Sequence, residues 1–131
     1  MEEKYQRMID YMNTVDDFNA HNGIRLVEVR DDYASCRVDM DEHSLNPQGI
    51  THGGLLFAMC DFVAGYAVLS TDRPMVTQSS SFNFLRPGTG SYLFAEGLPV
   101  KVGAKTAVVD GLVYDDQHRL LAKGTFTYFF I

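Results

Sequence analysis

Basic residues are in deficit: 11 Lys and Arg against 17 Asp and Glu give a formal net charge of −6 over 131 residues. A nucleic-acid binder needs a basic face to neutralise phosphates, so that class is excluded. Docking on an anionic membrane surface is excluded for the same reason. Only two cysteines are present, Cys36 and Cys60, with no CxxC and no paired framework. Each sits among apolar neighbours and reads as a reduced, buried thiol. No segment is low-complexity and none repeats at a fixed period. Met1 to Tyr5 are charged where a secretory leader would need an apolar stretch, so a cytoplasmic location is expected.

Against these absences stand an apolar fraction of 46% and an aromatic fraction of 12% of the chain. That is enough for one core, and residues 1–131 are expected to form one domain. The longest apolar stretch, Gly53 to Ser70, is interrupted by Asp61 and by small residues. Strand-like segments flank it, so it reads as a buried core helix and not a membrane span.

Apolar residues at Tyr5, Met8, Ile9, Met12 and Val15 have helical spacing. Ile24 to Arg30 and Tyr33 to Met40 alternate as two half-buried strands of a hairpin. A polar loop with Asn46-Pro47-Gln48-Gly49 follows, then a helix over His52–Ser70 that is apolar on every face and must be covered nearly all round. Met75–Leu85, Tyr92–Val102, Thr106–Tyr114 and Leu120–Phe130 read as strands. The short turns between the last three imply antiparallel neighbours. The expected architecture is α+β, a curled antiparallel sheet wrapped around one long central helix. Phe126, Tyr128, Phe129 and Phe130 make the last strand so aromatic that a partner chain is expected to cover some of it.

Asp61 is the sharpest chemical signal. An ionised carboxylate in an apolar helix costs several kcal/mol if buried and unpaired. Its helical neighbours Phe57, Ala58, Ala64 and Gly65 supply no cation. It either lies at an exposed edge or is a functional group in a cleft. His52-Gly53-Gly54 at the helix start offers free backbone N–H groups where developing negative charge is favoured, the makings of an oxyanion hole. A tight loop-to-helix junction would use the same residues. Nine residues separate His52 from Asp61, roughly 13 Å along a helix. If Gly53 and Asp61 act on one centre, two antiparallel copies related by a two-fold axis must bring each helix start to the other's Asp61.

Asn46-x-x-Gly49-x-x-His52-Gly53-Gly54 followed by Asp61 closely resembles the hotdog-fold acyl-CoA thioesterases of the phenylacetate-degradation type. The resemblance extends to the leading helix, to Asn22-Gly23-Ile24 and to Phe84-Leu-Arg86-Pro87-Gly88. It implies a hotdog fold and hydrolysis of an aryl- or medium-chain acyl-CoA, with coenzyme A as part of the substrate and no separate cofactor. It implies Asp61 as general base or nucleophile and the Gly53 N–H of the opposite subunit as carbonyl donor. Asn46 would orient the carbonyl or the water, and His52 would position the sulfur side. A hydroxyl on the next strand, Thr77 with Ser79 as fallback, would hold the attacking water. A homodimer is required for such a site, and the family suggests a dimer of dimers.

Gly54 joins the substrate-binding candidates. Arg86, Lys101 and Lys105, at strand ends, are candidates for the phosphates of coenzyme A. No metal is expected, because the four histidines lack HExxH or paired spacing. The acidic run Asp39 to His43 carries Ser44 where a calcium loop needs Gly. Gly103-Ala104-Lys105-Thr106 lacks the earlier glycine of a phosphate loop, and no Gly-x-Ser-x-Gly elbow is present. Two other functions share the fold. A dehydratase would want a His and a carboxylate jointly placed in a different loop. A non-catalytic acyl-CoA sensor would lack Asp61 or carry a DNA-binding extension.

Overall fold

The computed structural model describes residues 2–131. α1 (Glu3–Met12) is followed by a four-residue turn of helix, α2 (Phe18–His21), capped by the Asp17 carboxylate on the Ala20 N–H at 3.1 Å. α2 is too short to leave a periodic signal. Asn13 ends α1 and staples it to the sheet, donating to the Leu26 carbonyl and accepting from the Leu26 N–H, both at 2.9 Å. Tyr5 reaches across to the Asp31 carboxylate.

Strands β1 (Arg25–Arg30), β2 (Tyr33–Asp39), β3 (Met75–Phe84), β4 (Tyr92–Val102), β5 (Thr106–Asp115) and β6 (Leu120–Phe130) form one antiparallel sheet in the order β1-β2-β4-β5-β6-β3. The long helix α3 (Gly53–Ala67) lies in the crossover from β2 to the far edge. It is shorter than the expected His52–Ser70. His52 stands outside it as cap, and after Val68 the chain tightens into a 3-10 turn (Leu69–Thr71) that ends on a left-handed Asp72. Edge strand β3 is exposed along most of its length.

Three glycines pair in a row across the sheet, and two of them let α3 sit close on it. Gly97 of β4 opposes Gly111 of β5, which opposes Gly124 of β6. A Cβ at Gly97 would lie 2.3 Å from the Val63 carbonyl oxygen, and one at Gly111 would lie 2.9 Å from Cys60 Cβ and O. A Cβ at Gly124 would strike the Phe82 ring at 2.4 Å. At Gly97 and Gly111 the helix therefore occupies the space side chains would fill, whereas at Gly124 aromatic rings of the sheet do.

One face of α3 (Leu55, Leu56, Met59, Cys60, Val63, Ala64 and Ala67) is buried in the core. The other, with Phe57, Ala58, Asp61, Phe62, Gly65 and Tyr66, is only half-buried. The curled sheet wraps the helix as expected, but within one chain the cover stops short of nearly all round and leaves this second face partly open. The aromatic last strand is also largely satisfied within the chain. Phe126 and Tyr128 point inward, at 0% and 3% exposure, while only Phe129 among the four is well exposed, on the opposite face. Alternation along a strand accounts for the cluster. Cys36 and Cys60 are free and buried, and burial pushes both thiols up from their usual range. No helix among the described residues is long and apolar enough to cross a membrane.

Candidate active site

Asp61 projects from the half-buried face of α3 toward the junction of β3 and β6. Thr77 Oγ1 donates to Asp61 Oδ1 at 2.9 Å, and Tyr128 OH reaches the same oxygen at 2.9 Å and the Asp61 carbonyl at 2.7 Å. Thr77 and Tyr128 are direct cross-strand partners, so the β3–β6 register assembles both donors. Burial, and then the charge and hydrogen bond of Asp61, drive the Tyr128 phenol far above its ordinary range. It is a donor here and not an acid. The second carboxylate oxygen, Oδ2, has no protein partner among the described residues, and no Lys, Arg or His pairs with the carboxylate. An acceptor-only oxygen is thereby left to take a proton from water or to attack a carbonyl. Asp61 lines a cleft of 310 Å³ together with Phe62, Gly65, Tyr66, Leu69, Pro74 and Met75, besides Arg73.

A bulge decides which β3 hydroxyl reaches the acid. Simple alternation would set Thr77 and Ser79 on one face. The register shifts between them, so that Thr77 faces Tyr128 while Ser79 faces Thr127, on the other side of the sheet. The extra residue, Gln78, turns Ser79 away from Asp61, so Thr77 and not the fallback Ser79 is the hydroxyl beside the acid.

The helix start is built differently. His52 has extended geometry (φ −63°, ψ 130°), and its Nδ1 accepts from the Gly54 N–H at 2.8 Å. Nδ1 is therefore unprotonated and Nε2 carries the proton. Gly54 spends its N–H on this cap, whereas the Gly53 N–H has no partner among the described residues. Gly53 is approached closely, since a Cβ there would meet the Phe84 ring at 3.0 Å. Asn46 closes its own loop. Its Oδ1 accepts from Gln48 and Ile50 N–H at 2.9 and 3.3 Å, leaving the amide nitrogen as its uncommitted group. His52 and Gly54 line a second cleft of 350 Å³ with Phe18, Asn22, His43 and Leu45. One chain does not bring the two halves together: Gly53 and Asp61 are about 12 Å apart along α3.

The three candidate cations are exposed and divided between two ends of the sheet. Arg86 follows β3 and flanks a groove with Ile50, Thr51, Leu56 and Pro87. Lys101 and Lys105 flank the β4–β5 turn. That turn is tied to the Asp61 cleft by Arg73, whose two terminal nitrogens donate to the Gly103 and Ala104 carbonyls at 2.9 Å. Arg73 and Tyr128 are site residues that sequence reasoning missed. Tyr128 shares a face with Phe126, but its pairing with Thr77 across the two strands left no local signal. Among the described residues no group of three or more His, Cys, Asp or Glu could hold a metal ion.

A central helix laid on a curled six-stranded antiparallel sheet is the hotdog architecture, and one carboxylate held by neutral donors gives it a candidate reacting acid. Residues 48–122 match the thioesterase superfamily. Acyl-coenzyme A thioesterase PaaI of Escherichia coli is 29% identical over 101 residues, covering 76% of this chain and 72% of that protein. Its solved structure superposes with a TM-score of 0.87 at 24% identity, over 96% of this chain and 92% of that one. A Streptococcus mutans protein solved with acetyl-CoA is 31% identical, with a TM-score of 0.80 over 91% of this chain and 97% of that one. A hypothetical thioesterase protein of Streptococcus pneumoniae, solved with coenzyme A, is 33% identical, with a TM-score of 0.76 over 82% of this chain and 87% of that one. The pneumococcal protein was also solved with an aspartate, and separately a threonine sixteen residues further on, replaced by alanine; Asp61 and Thr77 have the same spacing. The chain belongs to the thioesterase superfamily and is a thioester hydrolase.

Proposed function

We propose that this protein hydrolyses acyl-CoA thioesters, with an aryl or medium-chain acyl group, in sites completed by two copies of the chain. Residues 1–131 act as one domain, joined by a single core from Tyr5 to Tyr128. The observation that carries the reading is the division of labour along α3. Asp61, with its free oxygen, sits over one cleft, while the one uncommitted N–H of the first turn, at Gly53, lies about 12 Å away. The exposed edge of β3 and the half-buried face of α3 are the surfaces a second copy would cover. Antiparallel approach along β3 would carry each Phe84 end, with its Gly53, toward the other copy's Thr77 end. Assembly as a dimer of dimers follows the family pattern.

In that site the Gly53 N–H polarises the thioester carbonyl, and Asn46 assists with its amide. Asp61 acts as base toward a water held by Thr77, or as nucleophile. His52 presents Nε2–H toward the departing sulfur. A thioester is reactive enough for one carboxylate and a backbone donor to suffice. Arg86, Lys101 and Lys105 are the cations available to coenzyme A phosphates, and no separate cofactor is invoked.

Complementation tests the shared site. Gly53→Pro deletes one N–H at the first helical position, where proline is tolerated, and His52 already has the extended backbone a following proline requires. Asp61→Asn and Gly53→Pro homodimers should each lose roughly a hundredfold or more in kcat. A hybrid of the two carries one intact site and should regain about half the wild-type rate. Hybrids as inactive as the parents would overturn the two-chain site. Acyl-CoA turnover by wild type no faster than by Asp61→Asn would overturn the assignment of Asp61.

A further inference from the structure

The Asp61 cleft is also lined by an arginine that forms no ion pair among the described residues. Three arginines are half-buried: Arg37, Arg73 and Arg119. Arg37 pairs with Asp39 at 2.9 Å and Arg119 with Asp115 at 2.7 Å. Arg73 pairs with no carboxylate among the described residues, although the chain carries a formal charge of −6. Its guanidinium is nevertheless fixed. Two N–H groups grip the Gly103 and Ala104 carbonyls, and Cζ lies 3.6 Å from the Phe130 ring centroid. A guanidinium has five N–H donors, so three remain, among them the Nε–H edge that suits a carboxylate. Holding a partly desolvated cation in place without an anion is costly. Pinning a turn would not by itself require the residue to line the cleft.

We propose that Arg73 reads the far end of the acyl group, and that the cleft takes a medium-chain acyl group ending in a carboxylate. This rests on the reading of Asp61 as the reacting acid. Asp61 is held at Tyr128 and Arg73 is held over Phe130, two residues further along the same face of β6, a separation of about 7 Å. Apart from Asp61, Thr77, Tyr128 and Arg73 the cleft is lined by Phe62, Gly65, Tyr66, Leu69, Pro74 and Met75, with no further charged side chain. The order is a reacting end, an apolar middle and a cationic end. An extended adipyl chain matches it, with its carbonyl at Asp61, its methylenes along the apolar wall and its free carboxylate at the guanidinium. A neutral chain of equal length would leave the same guanidinium unpaired against hydrocarbon, which is how a site built for a polar group rejects an analogue lacking it.

The test compares adipyl-CoA with hexanoyl-CoA, which differ only in the terminal group, for wild type, Arg73→Gln, Arg73→Lys and Asp61→Asn. The wild type should favour adipyl-CoA in kcat/KM by roughly tenfold or more. Arg73→Gln should abolish that preference, mainly through KM, and Arg73→Lys should restore part of it. A purely structural Arg73 would depress both substrates alike and leave their ratio unchanged. Wild-type preference for hexanoyl-CoA, or a ratio unmoved by Arg73→Gln, overturns the Arg73 assignment alone. Turnover of both substrates no faster than that of Asp61→Asn overturns the reading beneath it.

Discussion

Tyr128→Phe removes one oxygen and leaves an almost wholly buried ring in place, so its effect reports on the hydrogen bond and little else. The hydroxyl has a single proton, shared between Asp61 Oδ1 at 2.9 Å and the Asp61 carbonyl at 2.7 Å. A hydrogen bond to a charged group contributes about 1.5–3 kcal/mol. If that energy goes into holding the carboxylate for reaction, its loss lowers kcat by roughly tenfold to a hundredfold, since about 1.4 kcal/mol is a factor of ten. KM should change little, because the proton is already committed to Asp61. Thr77→Ala removes the other donor to Oδ1 and should cost a similar factor. The double variant should lose more than either single one, as the carboxylate would then have no side-chain donor. Release of free coenzyme A, followed with a thiol-reactive chromogen, gives the rates, and near-UV circular dichroism confirms that the fold persists. Well-folded Tyr128→Phe and Thr77→Ala proteins that both turn over at the wild-type rate would refute the claim that these hydroxyls position Asp61.

His52→Ala should lower stability by about 1 kcal/mol, the usual cost of losing a helix N-cap, seen as a reduced urea midpoint. Gly97→Ala would force a Cβ to within 2.3 Å of the Val63 carbonyl, so α3 must lift from the sheet. Thermal unfolding should register a loss of about 1–3 kcal/mol or more, and an unchanged Tm would contradict the glycine row. Asp115 is nearly inaccessible. Burial alone would raise its pKa, but N–H donors from Arg119 and Gln117 and the Arg119 guanidinium hold it below the usual carboxylate range. A group depressed on folding stabilises the folded state above its unfolded pKa and loses that contribution as pH falls through the folded one. Wild-type stability should therefore drop on acidification below about pH 4, and Asp115→Asn should flatten that part of the urea-midpoint profile against pH.

Local patterns were enough for most of the elements. Alternation marked both strands of the first hairpin and the last three strands nearly to the residue, because each has one face in the core. The α3 sequence is apolar and contains few residues that stop a helix, so it was legible, as was the anomaly of Asp61 within it. α2 was not, being a single turn fixed by one cap. Neither was the place of β3, since a strand reached through a crossover leaves no turn signal naming its neighbour.

The sequence by itself determined which groups could do chemistry: one carboxylate in a hydrocarbon setting and a glycine-rich helix start too far along the same axis to meet it. Those follow from residue type and helical rise, which need no long-range contact. Tertiary structure alone decided the company each group keeps. Pairing between β3 and β6 put Tyr128 opposite Thr77, and the bulge at Gln78 sent Ser79 to the other face. Packing at the end of the sheet set Arg73 over Phe130 beside the Asp61 cleft. Strand register and crossover position depend on residues far apart in the chain, and no local pattern carries that information.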